Sequence, residues 1–403
     1  MRGPNAQSGR RSVAALAMCV AALLWARPAE AKIYAEWQPR VSLGAGYDDN
    51  ILLDGRGGDP FGQVLPGLKL HLFGDHGLKN VLDCQAGISR LARPEQFPGA
   101  GGDLVLNQRC GNEFRSRLGA RTALKFSVVE QYAQDPFSIA NLGLLLRPGQ
   151  RQIFQARVRS ELAVRTAPQD TWYVALDQDT LFFTPGDPGN GMVVVPQVTF
   201  ERRTNPRDTF RIGVREQMFF ALGAATVATQ QTWAANSTGV GTAVLGGYQR
   251  RLNAFTTVSV TAGPALLARP AGTDFVPVGR IDLEAATPTS GLHVTLLHDL
   301  VLGPSRGGPL LGDVGEVGVS ATLLQGLRGH LRGGLYRNQY VGAAASNIVG
   351  YGAGAGLDWL LGRAWTLGGT VARESRLGGD AVDHLVDRNV VQLRLTWEQP
   401  RDW

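Results

Sequence analysis

Long apolar runs are almost absent from this chain of 403 residues. The one clear run, from Val13 to Trp25, follows three arginines and is followed by Ala29-Glu30-Ala31. A membrane-spanning helix needs about 18 or more apolar residues, so this run is too short. A basic start, a short apolar core and a small-residue end are typical of a secretory signal peptide. We therefore expect residues 1–31 to be a cleaved signal peptide and no transmembrane helix after it.

Charge is also scarce, because only 18% of the residues are charged and the formal net charge is +6. Removing residues 1–31 deletes four arginines and Glu30, which leaves 6 − 4 + 1 = +3. This small excess excludes a nucleic-acid partner of the usual strongly basic kind. The 44% hydrophobic content excludes a disordered chain, and the 52 glycines, spread along the sequence, favour many turns.

Catalytic and metal-binding motifs are missing as well. The six histidines show no HExxH pattern, and the sequence has neither a GxSxG motif nor a Walker loop. His293 and His298 differ by an odd number, so they face opposite sides of one strand. We expect no catalytic residue, no metal and no cofactor, and keep an outer-membrane enzyme only as a minor alternative to a non-enzyme.

Period-two alternation dominates the rest of the sequence. Phe154, Val158 and Leu162 alternate with charged residues such as Arg157 and Glu161. About eighteen such segments, each of roughly ten to fourteen residues, extend to Trp397, and strands of this length favour a membrane crossing over a soluble sheet. The sequence predicts an all-β, antiparallel, up-and-down transmembrane barrel of 18 strands, or 16 if one hairpin is miscounted. The barrel is expected over residues 41–403, after a short periplasmic segment at 32–40.

The connections between these segments indicate which end is which. Short connections and longer ones alternate strictly in the assignment, as in outer-membrane barrels with short periplasmic turns and long extracellular loops. Aromatic residues at both ends suggest two interfacial girdles. The girdle at the short turns comprises Phe114, Trp172, Phe200, Phe210, Tyr248, Phe255, Trp359, Trp365 and Trp397. The girdle at the long loops comprises Tyr47, Tyr132, Phe183, Phe219, Phe275 and Tyr340.

A barrel of 16 to 18 strands leaves an aqueous channel, so its charged face is expected to line a wet lumen. The candidate lumen residues are Arg157, Arg159, Glu161, Arg165, Arg211, Arg215, Asp282, Glu284, Arg332, Arg373 and Arg394. Two interpretations stay open: solvated ion pairs with no selective role, or a basic track for an anionic or hydroxyl-rich substrate, which arginine binds well. The apolar segment Leu142 to Leu146, inside the predicted loop 134–150, is either a constriction in the mouth or a locally packed loop.

Two cysteines remain after signal cleavage, Cys84 and Cys110, in an oxidising compartment. They lie at equal distances from residue 97, which is inside the predicted hairpin loop from Ala92 to Gly102. On the two strands of that hairpin they would face each other, with ~4.5 to 5.5 Å between their Cα atoms. We expect a structural disulfide rather than reactive or metal-binding thiols.

The segment Gly46-Tyr47-Asp48-Asp49-Asn50, at the end of the first strand, resembles the β-barrel porin 2 family of outer-membrane barrels. This resemblance implies the outer membrane of a Gram-negative bacterium. Several family members look like the pores of polysaccharide secretion systems, which implies a conduit for an exported polysaccharide, working with a periplasmic export protein. Fused secretins of such systems carry a helical repeat domain before the barrel, whereas here only Lys32 to Arg40 precedes the first predicted strand, so we expect any such scaffold to come from a partner protein. The alternative is a general or solute-selective diffusion porin.

Overall fold

The computed structural model describes residues 33–49, 58–92, 104–133, 153–183, 190–222, 238–270, 272–302, 309–340, 347–377 and 386–400. The predicted signal peptide and the loop at 134–150 lie outside these residues. Eighteen strands account for nearly all of what is described. They are β1 (Ile33–Asp48), β2 (Asp59–Gly74), β3 (Leu78–Leu91), β4 (Leu104–Arg117), β5 (Thr122–Ala133), β6 (Ile153–Arg165), β7 (Asp170–Phe182), β8 (Gly191–Arg203), β9 (Asp208–Ala221), β10 (Gly239–Arg251), β11 (Thr256–Arg269), β12 (Gly272–Ala286), β13 (Ser290–Leu302), β14 (Pro309–Leu324), β15 (Leu327–Tyr340), β16 (Asn347–Leu360), β17 (Trp365–Leu377) and β18 (Val386–Glu398).

These strands form one closed sheet. Each strand pairs antiparallel with its neighbours in the chain, and β1 also pairs with β18. Closure leaves no strand with a free edge along its whole length, which is the condition for a β-structure to cross a membrane. The prediction of an 18-stranded, antiparallel, up-and-down barrel is confirmed. Within the described residues, no helix is long and apolar enough to cross a membrane.

The outward face of the wall is apolar around the barrel. Val174, Val198, Val214 and Val244 lie directly opposite one another on four successive strands. Their side chains are 43–50% exposed, as expected of residues that face lipid. Because side chains alternate along a strand, the intervening residues face the lumen. The wall therefore separates an apolar exterior from a polar interior.

The apolar exterior has boundaries at both ends. Near the short turns, the ring centroids of Trp172 and Phe200, and those of Phe210 and Tyr248, lie 5.0 Å apart, forming part of the predicted girdle. At the ninth residue of four strands, an ionisable side chain interrupts the outward face: Glu130, Glu216, His298 and Arg373. Eight residues of strand span about 26 Å, or about 20 Å of depth at a tilt of ~40°. This is close to the apolar band of outer-membrane barrels.

The seam between the first and last strands is closed by the segment singled out in the sequence. Asp48 forms an ion pair with Arg388, and both side chains are at most 6% exposed. Asp49 accepts two hydrogen bonds from Asn389, at 2.6 Å from the backbone nitrogen and 2.6 Å from the side-chain nitrogen. The two aspartates of the Gly46 to Asn50 segment thus tie β1 to β18 at the long-loop end.

Two details differ from the sequence assignment. Residues 33–40 belong to β1, because β2 is long enough to pair with them down to Ile33 opposite Gly74. The strict alternation of short and long connections also fails once. Strands β11 and β12 are joined at the long-loop end by residues 270–271 alone. A two-residue connection is sufficient there because the two strands stay paired up to Arg269 opposite Gly272.

Candidate functional site: the lumen

The lumen wall carries most of the predicted charges. Ten of the eleven candidates alternate with the apolar outward residues and therefore face inward: Arg157, Arg159, Glu161, Arg165, Arg211, Arg215, Asp282, Glu284, Arg332 and Arg394. The interior is consequently ionic, as the strand count requires of a hydrated channel.

Arg373 is the exception, and its assignment to the lumen is wrong. It shares its face of β17 with Val371, which lies opposite the exposed Val391 of β18. Its guanidinium lies 3.4 Å from the Asp387 carboxylate, on the outside of the barrel. Arg373 and Glu374 are adjacent charges on opposite faces, so alternation alone did not decide which one points inward.

Many of the inward charges are paired with charges on the same or the next strand. Arg157 lies 3.1 Å from Asp179, and Arg159 lies 3.1 Å from Glu161. Arg280 donates two hydrogen bonds to Asp282, at 2.7 and 2.8 Å. Pairs that are open to solvent contribute little to stability. They do, however, keep the net charge of the lumen wall close to zero where they occur.

The β13–β14 hairpin leaves the wall and enters the lumen. The β12–β13 ladder stops at Gly279 opposite His298, so the last residues of β13 have no partner on β12. Leu300 is 2% exposed and packs with Phe219 and Leu267 on the inner faces of β9 and β11. The end of this hairpin (299–302 and 309–312), here called the inner hairpin, therefore lies across the upper lumen.

The inner hairpin reaches the far wall as well. Leu302 packs against Ile153, Leu181 and Phe183 at the upper ends of β6 and β7. On the near side, Leu310 packs against Tyr336 of β15. Because these contacts lie on different sides of the barrel, the hairpin narrows the passage from within.

A polar anchor holds the inner hairpin in addition to these leucines. Arg215 donates two hydrogen bonds to the Asp299 carboxylate, at 2.8 and 2.6 Å. Both side chains are about 15% exposed. The Gln217 side chain donates a hydrogen bond of 2.9 Å to the Leu300 carbonyl. Arg215 thus fixes the constriction and is not a free cation of the channel.

The hairpin corrects two girdle assignments. Phe183 and Phe219, expected at the outer interface, are 5% and 2% exposed and pack inside the lumen. Only one sequence signal pointed to this arrangement. Three consecutive residues are apolar at 300–302 and again at 309–311, so the alternation of apolar and polar residues is lost there. This pattern indicates burial on both faces of the strand. The predicted constriction at 134–150 lies outside the described residues.

Inward glycines of β16 make room for two inward side chains of β15. A Cβ placed on Gly350 would overlap the Tyr336 ring, and one on Gly356 would overlap the His330 imidazole. Both side chains of β15 therefore lie flat over β16. A flat side chain takes less of the channel cross-section than one pointing to its axis, so these glycines keep the passage open.

The remaining sequence candidates lie outside the channel or form ordinary polar contacts. Cys84 and Cys110 are directly opposite on β3 and β4 and form a disulfide, with their Cα atoms 4.1 Å apart. They share the outward face with Leu82. His293 faces the lumen beside Thr295, at 2.9 Å, and His298 faces outward beside Asp313. No group of three or more metal-binding side chains occurs among the described residues.

Comparison with known proteins gives structural similarity alone. No family model matches the chain, and no curated protein does. Among solved structures, it is similar to the Pseudomonas aeruginosa protein OccK9 (OpdG), with 12% identity, a TM-score of 0.49, and 92% of this chain and 99% of that chain covered. It is similar to P. aeruginosa OccK2 (OpdF), solved in complex with glucuronate, with 11% identity, a TM-score of 0.47 and coverages of 92% and 98%. It is also similar to a BenF-like porin from Pseudomonas fluorescens, with 11% identity and a TM-score of 0.47; 91% of this chain and 99% of that chain are covered. The function therefore rests on the geometry of the barrel itself.

Proposed function

We propose that the protein is a diffusion pore for small solutes in the outer membrane of a Gram-negative bacterium. The observation that carries this proposal is the closed 18-stranded barrel with an apolar exterior, an ionic interior and a hairpin folded across the upper lumen. A wet interior permits passage, and the inner hairpin limits the size of what passes. The lumen is thus a filter rather than a wide tube.

The inner hairpin also bears on the alternative of a conduit for an exported polysaccharide. A bulky hydrated polymer needs a wide path along the whole axis, whereas contacts of Leu302 with β6 and β7 divide the upper lumen. No described residue points to a polymer or to a periplasmic export partner. Small solutes fit the geometry better, and the absence of enzymatic activity stays a prediction.

Conductance tests the proposal directly. The purified barrel, reconstituted into planar bilayers, is expected to give stepwise ionic currents, and liposomes that contain it should swell with small sugars and amino acids. Swelling should stop as uncharged polymers of increasing size are used, at a cut-off set by the inner hairpin. A folded barrel without ionic current or swelling would refute the pore. Passage of large polysaccharides at the same rate as small sugars would favour the conduit.

A further inference from the structure

Four arginines occupy equivalent places at the short-turn mouth of the lumen. Strands β4, β6, β8 and β10 each end on an inward-facing, exposed arginine. These residues, here called the arginine crescent, are Arg117, Arg165, Arg203 and Arg251. They lie on alternate strands of one half of the barrel. Only Arg165 among them belongs to the lumen residues predicted from the sequence.

The register places the crescent at one height. Arg165 lies opposite Thr171, which lies opposite Glu201, and Arg203 follows two residues later. The same step of two strands across and two residues along leads from Arg117 to Arg165 and from Arg203 to Arg251. Because tilted strands require such a stagger to stay level, the four form an even row. The step corresponds to about 12 Å between Cα atoms.

The crescent has no counter-charges of its own within the described residues. None of its four members forms a salt bridge there, because the inward Glu201 binds Arg211, whereas Asp170 and Asp208 face outward and bind outward arginines. Glu201 lies 2.9 Å from Arg211, and Asp170 lies 3.6 Å from Arg202. Asp208 lies 3.8 Å from Arg250. The guanidinium groups of the crescent are left to water and to solutes.

The two ends of the barrel differ in charge. The eight short turns between strands contain three arginines against one aspartate: Arg121, Arg207, Arg363 and Asp75. The undescribed stretches between strands at the other end contain five arginines and seven acidic residues, which is 5 − 7 = −2. The crescent adds four positive charges to the short-turn end. Electrostatic attraction of anions is therefore concentrated at the periplasmic mouth.

We propose that the arginine crescent is a binding site for oxyanions with two or more charged groups, which enter it from the periplasmic side. The proposal rests on the proposed pore function and adds a site and a sidedness to it. A guanidinium binds carboxylate or phosphate oxygens with two parallel hydrogen bonds. A monovalent carboxylate offers one such pair of oxygens, whereas a ligand with charged groups at both ends offers a pair to each of two neighbouring arginines.

The test uses pyrophosphate and tricarballylate, a tricarboxylate, as blockers of single-channel current, with acetate as the monovalent reference. A Gly119→Cys variant labelled with a bulky, membrane-impermeant thiol reagent identifies the short-turn side, since a Cβ at Gly119 meets open space. From that side, both blockers should act at concentrations at least about tenfold below those needed from the other side, because each bidentate contact adds affinity. Acetate should show no such difference.

A pair of matched variants locates the site. Arg165→Gln/Arg203→Gln removes two charges of the crescent, and Arg202→Gln/Arg250→Gln removes two at the same end from the outward face. The first variant should lose the sided block, whereas the second should keep it. Equal block from both sides in the unmodified protein, or loss of block in the second variant alone, would overturn the proposal.

Calorimetry separates this inference from the pore function. Pyrophosphate titrated into the detergent-solubilised barrel should give a binding isotherm that the Arg165→Gln/Arg203→Gln variant lacks, whether or not the barrel conducts. Conduction without that isotherm would refute the crescent and leave the pore standing. An isotherm without conduction would refute the pore and support the crescent.

Discussion

Release of the inner hairpin is the sharpest test of how the lumen is narrowed. Asp299→Ala leaves Arg215 largely buried without its counter-charge, at a cost of about 2–3 kcal/mol for this partly exposed pair. Leu300 and Leu302 still hold the hairpin, and burying a leucine contributes about 1.5–3 kcal/mol. Asp299→Ala alone should therefore keep the mean conductance and add brief, larger openings.

The triple variant Asp299→Ala/Leu300→Ala/Leu302→Ala loses about 5–9 kcal/mol of anchoring by the same reasoning. It should show a stable increase in single-channel conductance and pass larger neutral polymers. Leu296→Ala is the matched control, because Leu296 lies on the same strand but is 50% exposed on the outward face. An unchanged conductance in the triple variant would refute the assignment of the inner hairpin as the constriction.

Three further variants test other elements. Cys84→Ser/Cys110→Ser opens a link between residues separated by 26 positions; it should lower the free energy of unfolding in vesicles by about 3.5 kcal/mol, and an unchanged denaturant midpoint would contradict this. Asp48→Asn removes the negative charge from the buried ion pair with Arg388, so the folded band in unheated gels should be lost at a lower temperature; adding Arg388→Gln should restore part of the loss. Gly356→Ala displaces the His330 ring towards the channel axis and should reduce conductance with little loss of stability; equal conductance would argue against the role of Gly356 in keeping the passage open.

The barrel itself was accessible from the sequence because one physical rule acts on every strand. A residue that faces lipid is apolar and the next one, which faces water, is free to be charged, so alternation reports the wall directly. This rule placed Arg157 and Glu161 on the inner face. The rule could not decide between Arg373 and Glu374. Both are charged, so alternation is equally consistent with either residue facing the lumen.

The inner hairpin was missed for a related reason. Leu300 and Leu302 continue the outward parity of β13, so alternation assigns them to lipid. Their actual partners, such as Phe219 on β9, are about 80 residues away in the chain, and no local pattern records that contact. Packing inside the lumen gives Leu300 and Leu302 an apolar environment in place of lipid. Because a leucine suits either environment, the sequence alone does not distinguish them.

The two proposed selective elements lie in series along the lumen. The inner hairpin is at the long-loop end and acts on size, through leucine contacts that carry no charge. The arginine crescent is at the short-turn end and acts on charge, through guanidinium groups without counter-ions in the described residues. If the elements act independently, the triple hairpin variant should change the size cut-off and keep the sided block by pyrophosphate. The Arg165→Gln/Arg203→Gln variant should lose the sided block and keep the size cut-off. A variant of either class that altered both properties would mean that one site, rather than two, controls passage.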